Sequence, residues 1–368
     1  MISFQKKILI FRLGSLGDTV MALPAFHKIH DTFPGAEITL LTNHPVNTKA
    51  APLASILGSE YFFNRVLNYP IGTRDPFVLY KLLKEIRALK IDTLIYLTSA
   101  RKLKTLRASR LAVMRDAWFF KAAGVKNIIG LPQNKNDFEV AIDDNTGYFE
   151  WEAKRLARRL MPLGEILLNS DHFWDLKFTT NELTAAELSL EHCAIDKPIL
   201  AISTGTKRQS NDWEEPNWVM LIQQLSLALK GWQLIILGAA EERERAEKCL
   251  QVWGQTGINL CGQTVPRVSG AILKKAEVFI GHDSGPMHLA ACVGTPCVAI
   301  FSARNFPGQW FPRGDVNKII YHTVDCAGCG LEVCIEQKKK CILSITINEV
   351  QDAVIEILNG NKIQNTIK

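Results

Sequence analysis

The stretch from Gly281 to Ala291, GHDSGPMHLAA, holds the residues of this chain that are best suited to chemistry. An apolar run precedes it and predicts a buried strand, and Pro286 suits the first turn of a following helix. Asp283, Ser284 and Gly285 therefore lie where a strand feeds a helix, with Ser284 as a good N-cap. The free N–H groups and positive end of a helix favour an anion such as a diphosphate. An ordinary capped turn explains the same residues.

A second turn near the N-terminus supplies a carboxylate. The strand-like run from Lys7 to Leu13 is followed by GSLGD, residues 14–18, and then by a helical stretch. This loop matches neither the dinucleotide fingerprint GxGxxG nor the P-loop pattern. Asp18 stands at the carboxyl end of the first strand, the edge at which open α/β sheets bind ligands. A helix N-cap is the alternative explanation of Asp18.

Together the two turns resemble glycosyltransferase family 9, the ADP-heptose:lipopolysaccharide heptosyltransferases. The matching segments occur in the family's order across nearly the whole chain: RLGSLGD (12–18), MALPAF (21–26), STGTKRQSNDW (203–213), LGAAEE (237–242) and GHDSGPMHLAACVGTPCVAIF (281–301). The resemblance implies that a heptose moves from ADP-heptose to a hydroxyl of a lipopolysaccharide core, or of a related glycan, with inversion. It implies that Asp18 is the general base. It also implies that the donor is a substrate and that no cofactor or divalent metal is required.

The resemblance also implies a donor site in the second half of the chain. The loop from Thr204 to Trp213 offers hydroxyl, backbone and cationic groups for phosphates. Many family members carry a lysine where this chain has Asn211, so Lys207, or Arg208, is expected to replace that charge. The expected donor-binding residues are Thr204, Thr206, Lys207, Glu241, Glu242, Asp283, Ser284, Gly285 and His288.

Two of these assignments have structural alternatives. Glu241 and Glu242 are placed to accept hydrogen bonds from ribose hydroxyls, but acidic residues also stabilise a helix N-terminus. His288 lies four residues beyond Ser284, so a helix places both on roughly the same face. A packed helical histidine is the other interpretation.

Acceptor binding is expected at the first domain, through Gly14, Ser15, Arg101 and Lys104. The segment from Arg101 to Arg110 contains five cations and no acidic residue. Such a run forms either a solvated face or a patch for an anionic acceptor or an anionic membrane surface.

Composition narrows the class of protein. With 368 residues, 47% hydrophobic and 22% charged, the chain suits two globular domains rather than disorder. A net charge of +6 is lower than a general nucleic-acid binder usually carries. The sequence contains neither an uninterrupted apolar stretch of transmembrane length nor the pattern of a signal peptide. We therefore expect a cytoplasmic protein, with peripheral contact to the inner membrane as a further option.

Strand-like and helix-like segments alternate, which predicts parallel sheets with right-handed crossovers. The family resemblance implies α/β GT-B architecture, two Rossmann-like domains facing a central cleft. The expected divisions are an acceptor domain over residues 1–175, a linker over 176–197 and an ADP-sugar domain over 198–345. The terminal helix, residues 346–360, is expected to pack back on the first domain.

Four of the nine cysteines cluster as C-x2-C-x4-C-x6-C, at Cys326, Cys329, Cys334 and Cys341. Four sulfurs suit zinc or iron, but this spacing differs from the paired CxxC motifs of a zinc ribbon. Packing without a metal is the expected outcome, and a structural metal site is the alternative. For the function as a whole, the alternatives are another nucleotide-sugar transferase of the same fold and a non-catalytic sugar-nucleotide-binding protein.

Overall fold

The strands of this protein form two separate parallel sheets. The computed structural model describes residues 5–44, 52–58, 61–73, 75–98, 105–144, 146–194 and 196–366. Over these residues the chain divides into two compact units, which meet in sequence between Asp175 and Leu176.

The first unit alternates strands and helices around a five-stranded sheet of order β3-β2-β1-β4-β5. Its central strand is a continuous apolar run that is buried on both faces, as parallel sheets require. The elements are β1 (Lys7–Phe11), α1 (Leu16–Met21), α2 (Leu23–Thr32), β2 (Glu37–His44), α3 (Leu53–Leu57), β3 (Arg65–Pro70), α4 (Pro76–Leu89), β4 (Thr93–Tyr96), α5 (Leu106–Ala122), β5 (Asn127–Ile129), α6 (Lys135–Phe138) and α7 (Glu152–Arg159).

The second unit holds a six-stranded sheet of order β11-β10-β9-β6-β7-β8. Its elements are α8 (Thr180–Ser189), β6 (Ile199–Ser203), α9 (Glu215–Ala228), β7 (Gln233–Ile236), α10 (Arg243–Trp253), β8 (Gly257–Asn259), α11 (Pro266–Leu273), β9 (Val278–His282), α12 (Gly285–Cys292), β10 (Cys297–Phe301), β11 (Lys318–Tyr321), α13 (Lys340–Leu343) and α14 (Ile347–Thr366).

The centre of the second sheet positions the donor motifs. Strands β6 and β9 are parallel neighbours, and Ser203 pairs with Gly281 near their carboxyl ends. The loop after β6 and the turn after β9 therefore emerge side by side. The sheet topology thus joins two sequence motifs that lie about 70 residues apart.

The segment expected to be a linker is partly helical. Helix α8 has a capping box of Thr179 and Glu182, and Glu182 forms an ion pair with Arg267 of α11. Because α8 packs on α11, this part of residues 176–197 belongs to the second unit instead of connecting two units loosely.

The terminal helix α14 buries Val350, Val354 and Ile357 in the core of the second unit. This core also contains residues of α9, β9 and β10. The family resemblance implies that this helix packs on the first domain, which stays a prediction, and the three buried residues belong to the core of the second unit. Among the described residues, no helix is long and apolar enough to span a bilayer.

Candidate active site

The turn after β9 leaves polar groups available to a ligand. Ser284 is the N-cap of α12, with extended backbone (φ −153°, ψ 170°), yet its side chain makes no capping hydrogen bond. Its Oγ is buried and has no hydrogen-bond partner among the residues that the structure describes. An unpaired buried hydroxyl costs free energy. A bound anion would relieve that cost by accepting bonds from Oγ and from the first amides of α12.

His288 lies one helical turn beyond Ser284, and its backbone N–H donates to the Ser284 carbonyl over 3.3 Å. The His288 side chain is only 3% exposed, and its Nε2 lies 3.7 Å from Oδ1 of Asp283. Nδ1 is buried and unpartnered within the described part of the chain. The ring therefore has one nitrogen facing the carboxylate and one left for a ligand.

The loop from Thr204 to Trp213 is held against β9 by His282. The Trp213 N–H donates to Nε2 of His282 over 3.0 Å, so Nδ1 carries the proton and donates to the Gly205 carbonyl over 3.3 Å. Burial lowers the pKa of His282 to about 4. The neutral ring connects both ends of the loop to the strand that precedes the anion-binding turn.

Asn211 makes a second connection between the loop and this turn. Its Nδ2 donates to the Asp283 carbonyl over 3.4 Å, and its Oδ1 accepts from Ser302 Oγ over 2.5 Å. Asn211 is buried. The position at which the family resemblance implies a lysine is thus occupied here by a buried crosslink.

Three cations lie on or beside this loop. Lys207 and Arg208 are exposed on it, and Arg208 forms an ion pair with Glu332 over 3.4 Å. The sequence analysis missed the third, Arg304, which is buried beyond β10. Burial and the charge of Arg208 lower the pKa of Arg304, and the nearby Asp283 opposes this. The sequence signal that could have identified Arg304 is a cation shortly after β10, the strand next to β9.

The remaining predicted donor residues differ in burial and in their contacts with the loop. Thr204 Oγ1 is buried without a partner in the described residues, and Thr206 Oγ1 accepts the Arg208 N–H over 3.4 Å. The Glu242 carboxylate fills the space beside Gly205, where an added Cβ would lie 1.8 Å from it. Glu241 is exposed. The structure therefore brings Glu242 to the loop.

In the first unit, Asp18 lies at the start of α1. Its Oδ2 accepts hydrogen bonds from the N–H and the Oγ of Ser15, both over 2.8 Å. Ser15 is the N-cap of α1, and Asp18 is the third helical residue, as in a capping box. Asp18 is half-buried. The two donated hydrogen bonds hold the carboxylate in one orientation.

Arg12 holds the backbone of the turn that carries Asp18. Its guanidinium is fully buried and donates to the carbonyls of Asp18, over 2.6 Å, and Leu97, over 2.7 Å. Burial lowers the pKa of Arg12, while the charge of Asp18 raises it. This residue belongs to the RLGSLGD motif, but the sequence analysis assigned it no role.

The predicted acceptor residues differ in what the structure shows. The Gly14 N–H donates to Oδ1 of Asn43 over 3.0 Å, and an added Cβ at Gly14 would lie 2.6 Å from Cβ of Asp18. Glycine is therefore required by the closeness of Asp18. Arg101 and Lys104 lie outside the described residues.

The four clustered cysteines, Cys326, Cys329, Cys334 and Cys341, line one small apolar cavity. In the described part of the chain, no group of three or more His, Cys, Asp or Glu side chains is arranged to hold a metal ion. The segment packs on the loop from Thr204 to Trp213, here called the donor loop. Ser210 Oγ donates to the Leu331 carbonyl over 2.7 Å, and the Cys334 N–H donates to Gln209 over 2.8 Å.

Two Rossmann-like units of parallel strands, one carrying a turn suited to a diphosphate, are typical of GT-B glycosyltransferases. The chain is similar to the glycosyl transferase family 9 structure from Veillonella parvula, with a TM-score of 0.69 and 16% identity over 96% of this chain and 98% of that one. It is also similar to the E. coli heptosyltransferase WaaC with ADP-2-deoxy-2-fluoro heptose, with a TM-score of 0.58 and 16% identity over 95% and 99% of the chains. These likenesses confirm the predicted GT-B fold.

The sequence defines the family. A model of glycosyltransferase family 9 (heptosyltransferase) matches residues 96–340, and the chain belongs to this family. The lipooligosaccharide heptosyltransferase 2 of Campylobacter jejuni is 24% identical over 365 residues, which covers 96% of this chain and 99% of that protein. The protein is therefore a glycosyltransferase, as the motifs predicted.

Proposed function

We propose that this glycosyltransferase moves a heptose from ADP-heptose to a hydroxyl of a lipopolysaccharide or lipooligosaccharide core. The family and the name of the Campylobacter relative support heptosyl transfer to such an acceptor. The ligand of the E. coli WaaC structure supports an ADP-linked donor. The observation that carries the proposal is the buried Ser284 Oγ at the N-terminus of α12, which has no hydrogen-bond partner among the described residues and suits a diphosphate oxygen.

The donor's diphosphate is assigned to the turn after β9 and the adjoining loop. Ser284 Oγ, the first amides of α12 and Nδ1 of His288, which has no partner in the described part of the chain, are assigned to phosphate oxygens. Arg304 and Lys207 contribute positive charge in place of the lysine that Asn211 replaces. As the bond to the sugar breaks, negative charge grows on the departing ADP, and these groups stabilise it in the transition state. Glu242 and Thr204 are assigned to the nucleoside end of the site.

Asp18 is assigned as the general base. Its carboxylate removes the proton of the acceptor hydroxyl as the acceptor oxygen bonds to the anomeric carbon. The bond from that carbon to the phosphate oxygen breaks, and its electron pair leaves with ADP. A single displacement of this kind inverts the anomeric configuration. Ser15 keeps one oxygen of Asp18 occupied, which leaves the other for the acceptor.

The proposal includes a cytoplasmic site of action, no cofactor beyond the donor substrate, and a lipid-borne acceptor. A direct test incubates the purified protein with ADP-heptose and a heptose-deficient lipopolysaccharide acceptor. We expect release of ADP together with an acceptor that is heavier by one heptose. Parallel reactions with ADP-glucose, UDP-glucose and GDP-mannose test the donor. A preference for a UDP or GDP sugar would contradict the donor assignment, although the family would stand.

A further inference from the structure

Helices α4 and α5 lie side by side on one face of the first sheet. Leu82 and Ile86 of α4 and Phe120 of α5 pack in one core cluster with Leu9 and Phe11 of β1. The two helices are also in contact with each other. Each therefore turns one face to the sheet and the opposite face away from it.

The outward faces of these helices carry large apolar side chains. On α5, Leu111, Met114 and Trp118 are 56%, 54% and 70% exposed, and their spacing places them in one stripe. On α4, Phe77 and Tyr80 are 73% and 53% exposed. Single exposed apolar residues are common on soluble proteins, but five on two adjacent helices form a patch that calls for a partner. We refer to these five residues as the α4–α5 patch.

The same two helices carry more exposed cations than acids. The exposed basic residues include Lys81, Lys84, Arg87, Arg107, Arg110 and Lys121. Lys84 lies over the ring of Tyr80, with Nζ 4.7 Å from the ring centre. The acids are Glu85, exposed on α4, and Asp116 on α5, which is half-buried and bonded to Tyr96 and Arg115. The face thus combines aromatic and aliphatic side chains with a surplus of positive charge.

We propose that the α4–α5 patch binds the surface of an anionic lipid bilayer. Aromatic and aliphatic side chains insert at the boundary of headgroups and acyl chains, and basic side chains beside them pair with anionic headgroups. A second copy of this chain is a poorer occupant, because two such faces would bring their cations together. The proposal depends on this surface alone and not on the identity of the sugar donor.

Sedimentation with lipid vesicles tests the proposal on the full-length protein. We expect binding to vesicles of phosphatidylcholine mixed with phosphatidylglycerol, weaker binding to phosphatidylcholine alone, and a loss of affinity as salt is added. Replacing Arg107 and Arg110 by Gln lowers the partition coefficient roughly fivefold for each cation. The double variant Leu111→Ser, Trp118→Ser lowers binding to both kinds of vesicle.

Matched controls come from the second unit. Leu188 and Leu227 are 62% and 72% exposed, and their Ser variants should bind vesicles like the wild type. Lys230→Gln and Lys274→Gln are the corresponding charge controls. If the patch variants and the controls bind vesicles equally, the proposal is wrong. A dimer that is lost in Leu111→Ser, Trp118→Ser, without any vesicle binding by the wild type, would also overturn it.

Transferase activity on a lipid-free acceptor fragment separates this proposal from the proposed function. The variant Leu111→Ser, Trp118→Ser should retain that activity, because its changes affect only the outer face of α5. Activity without vesicle binding would contradict the membrane proposal and leave the proposed function standing. Vesicle binding without heptosyl transfer would contradict the proposed function and leave the membrane proposal standing.

Discussion

The backbone N–H of Trp213 donates a hydrogen bond over 3.0 Å to Nε2 of His282, a ring that is fully buried at the end of β9. This bond requires an unprotonated Nε2, and burial lowers the pKa of His282 to about 4. The attachment of the donor loop to the sheet therefore depends on a neutral histidine.

The first prediction concerns pH. An unfolded histidine binds a proton near pH 6.5, whereas folded His282 does so near pH 4. Stability from this site is present above pH 6.5 and is lost as the pH falls toward 4. Between pH 7 and 5 we expect a loss of about 2 kcal/mol in the free energy of unfolding. The variant His282→Asn should lose this part of the pH dependence, as measured by urea unfolding at several pH values.

An exposed histidine supplies the control for this measurement. The side chain of His192 is 81% exposed, so His192→Asn should leave the pH dependence of the wild type unchanged. If the wild type and His282→Asn give parallel pH profiles, His282 binds its proton equally in the folded and the unfolded protein, and the prediction is wrong.

The second prediction concerns Asp18. Asp18→Asn removes the proposed base, and we expect kcat to fall by about 10²- to 10⁴-fold. Ser15→Ala removes one hydrogen bond to Asp18 at a cost of about 1 kcal/mol in stability, but it keeps the carboxylate. It should therefore lose much less kcat. Near wild-type turnover by Asp18→Asn would leave Asp18 as a helix-capping residue only.

The third prediction concerns Ser284 and His288. Each Ala variant removes a group proposed to bind the diphosphate, so ADP affinity should fall roughly 5- to 150-fold, measured by calorimetry. Because Ser284 Oγ has no partner among the described residues, Ser284→Ala should not lower the stability of the free protein. Ser226→Ala is the matched control, since its Oγ bonds the Gln223 carbonyl on its own helix. Unchanged ADP affinity in both variants would remove these residues from the site.

The fourth prediction concerns the cations of the donor loop. Lys207 is proposed to supply the positive charge that Asn211 replaces, so Lys207→Ala should weaken ADP binding, and Arg208→Ala is measured beside it. Lys230→Ala, an exposed lysine on a different element, should have no effect. If Arg208→Ala has the larger effect, Arg208 provides the charge that other family members take from lysine.

The fifth prediction concerns the nucleotide. At 100 times its dissociation constant a ligand stabilises the native state by about 2.7 kcal/mol, which raises the melting temperature by roughly 5–10 °C in a domain of this size. We expect ADP to give a larger thermal shift than UDP, GDP or NAD. Asp283→Ala should reduce the shift by ADP. The donor-site assignment fails if none of these nucleotides shifts the protein at millimolar concentration.

The sequence by itself determined most of the secondary structure. The apolar runs at residues 199–203 and 297–301 coincide with β6 and β10, and the turns at Asp18 and Ser284 lie at strand-to-helix junctions as expected. Local signals suffice here, because buried parallel strands are continuous apolar runs and helix starts have capping residues. The sequence signal of β11 is weaker, since its residues are only partly buried.

Only the tertiary structure decided how side chains meet. His282 and Gly205 are 77 residues apart in sequence, and Asn211 and Asp283 are 72 apart, so neither pair has a local signal. These contacts exist because β6 and β9 are neighbours in the sheet, which follows from strand order rather than from local propensity. The sequence of α14 likewise does not show which core its apolar face joins, and in the structure this face is buried in the second unit. Motifs thus identified the family, while packing decided which residues hold the donor loop in place.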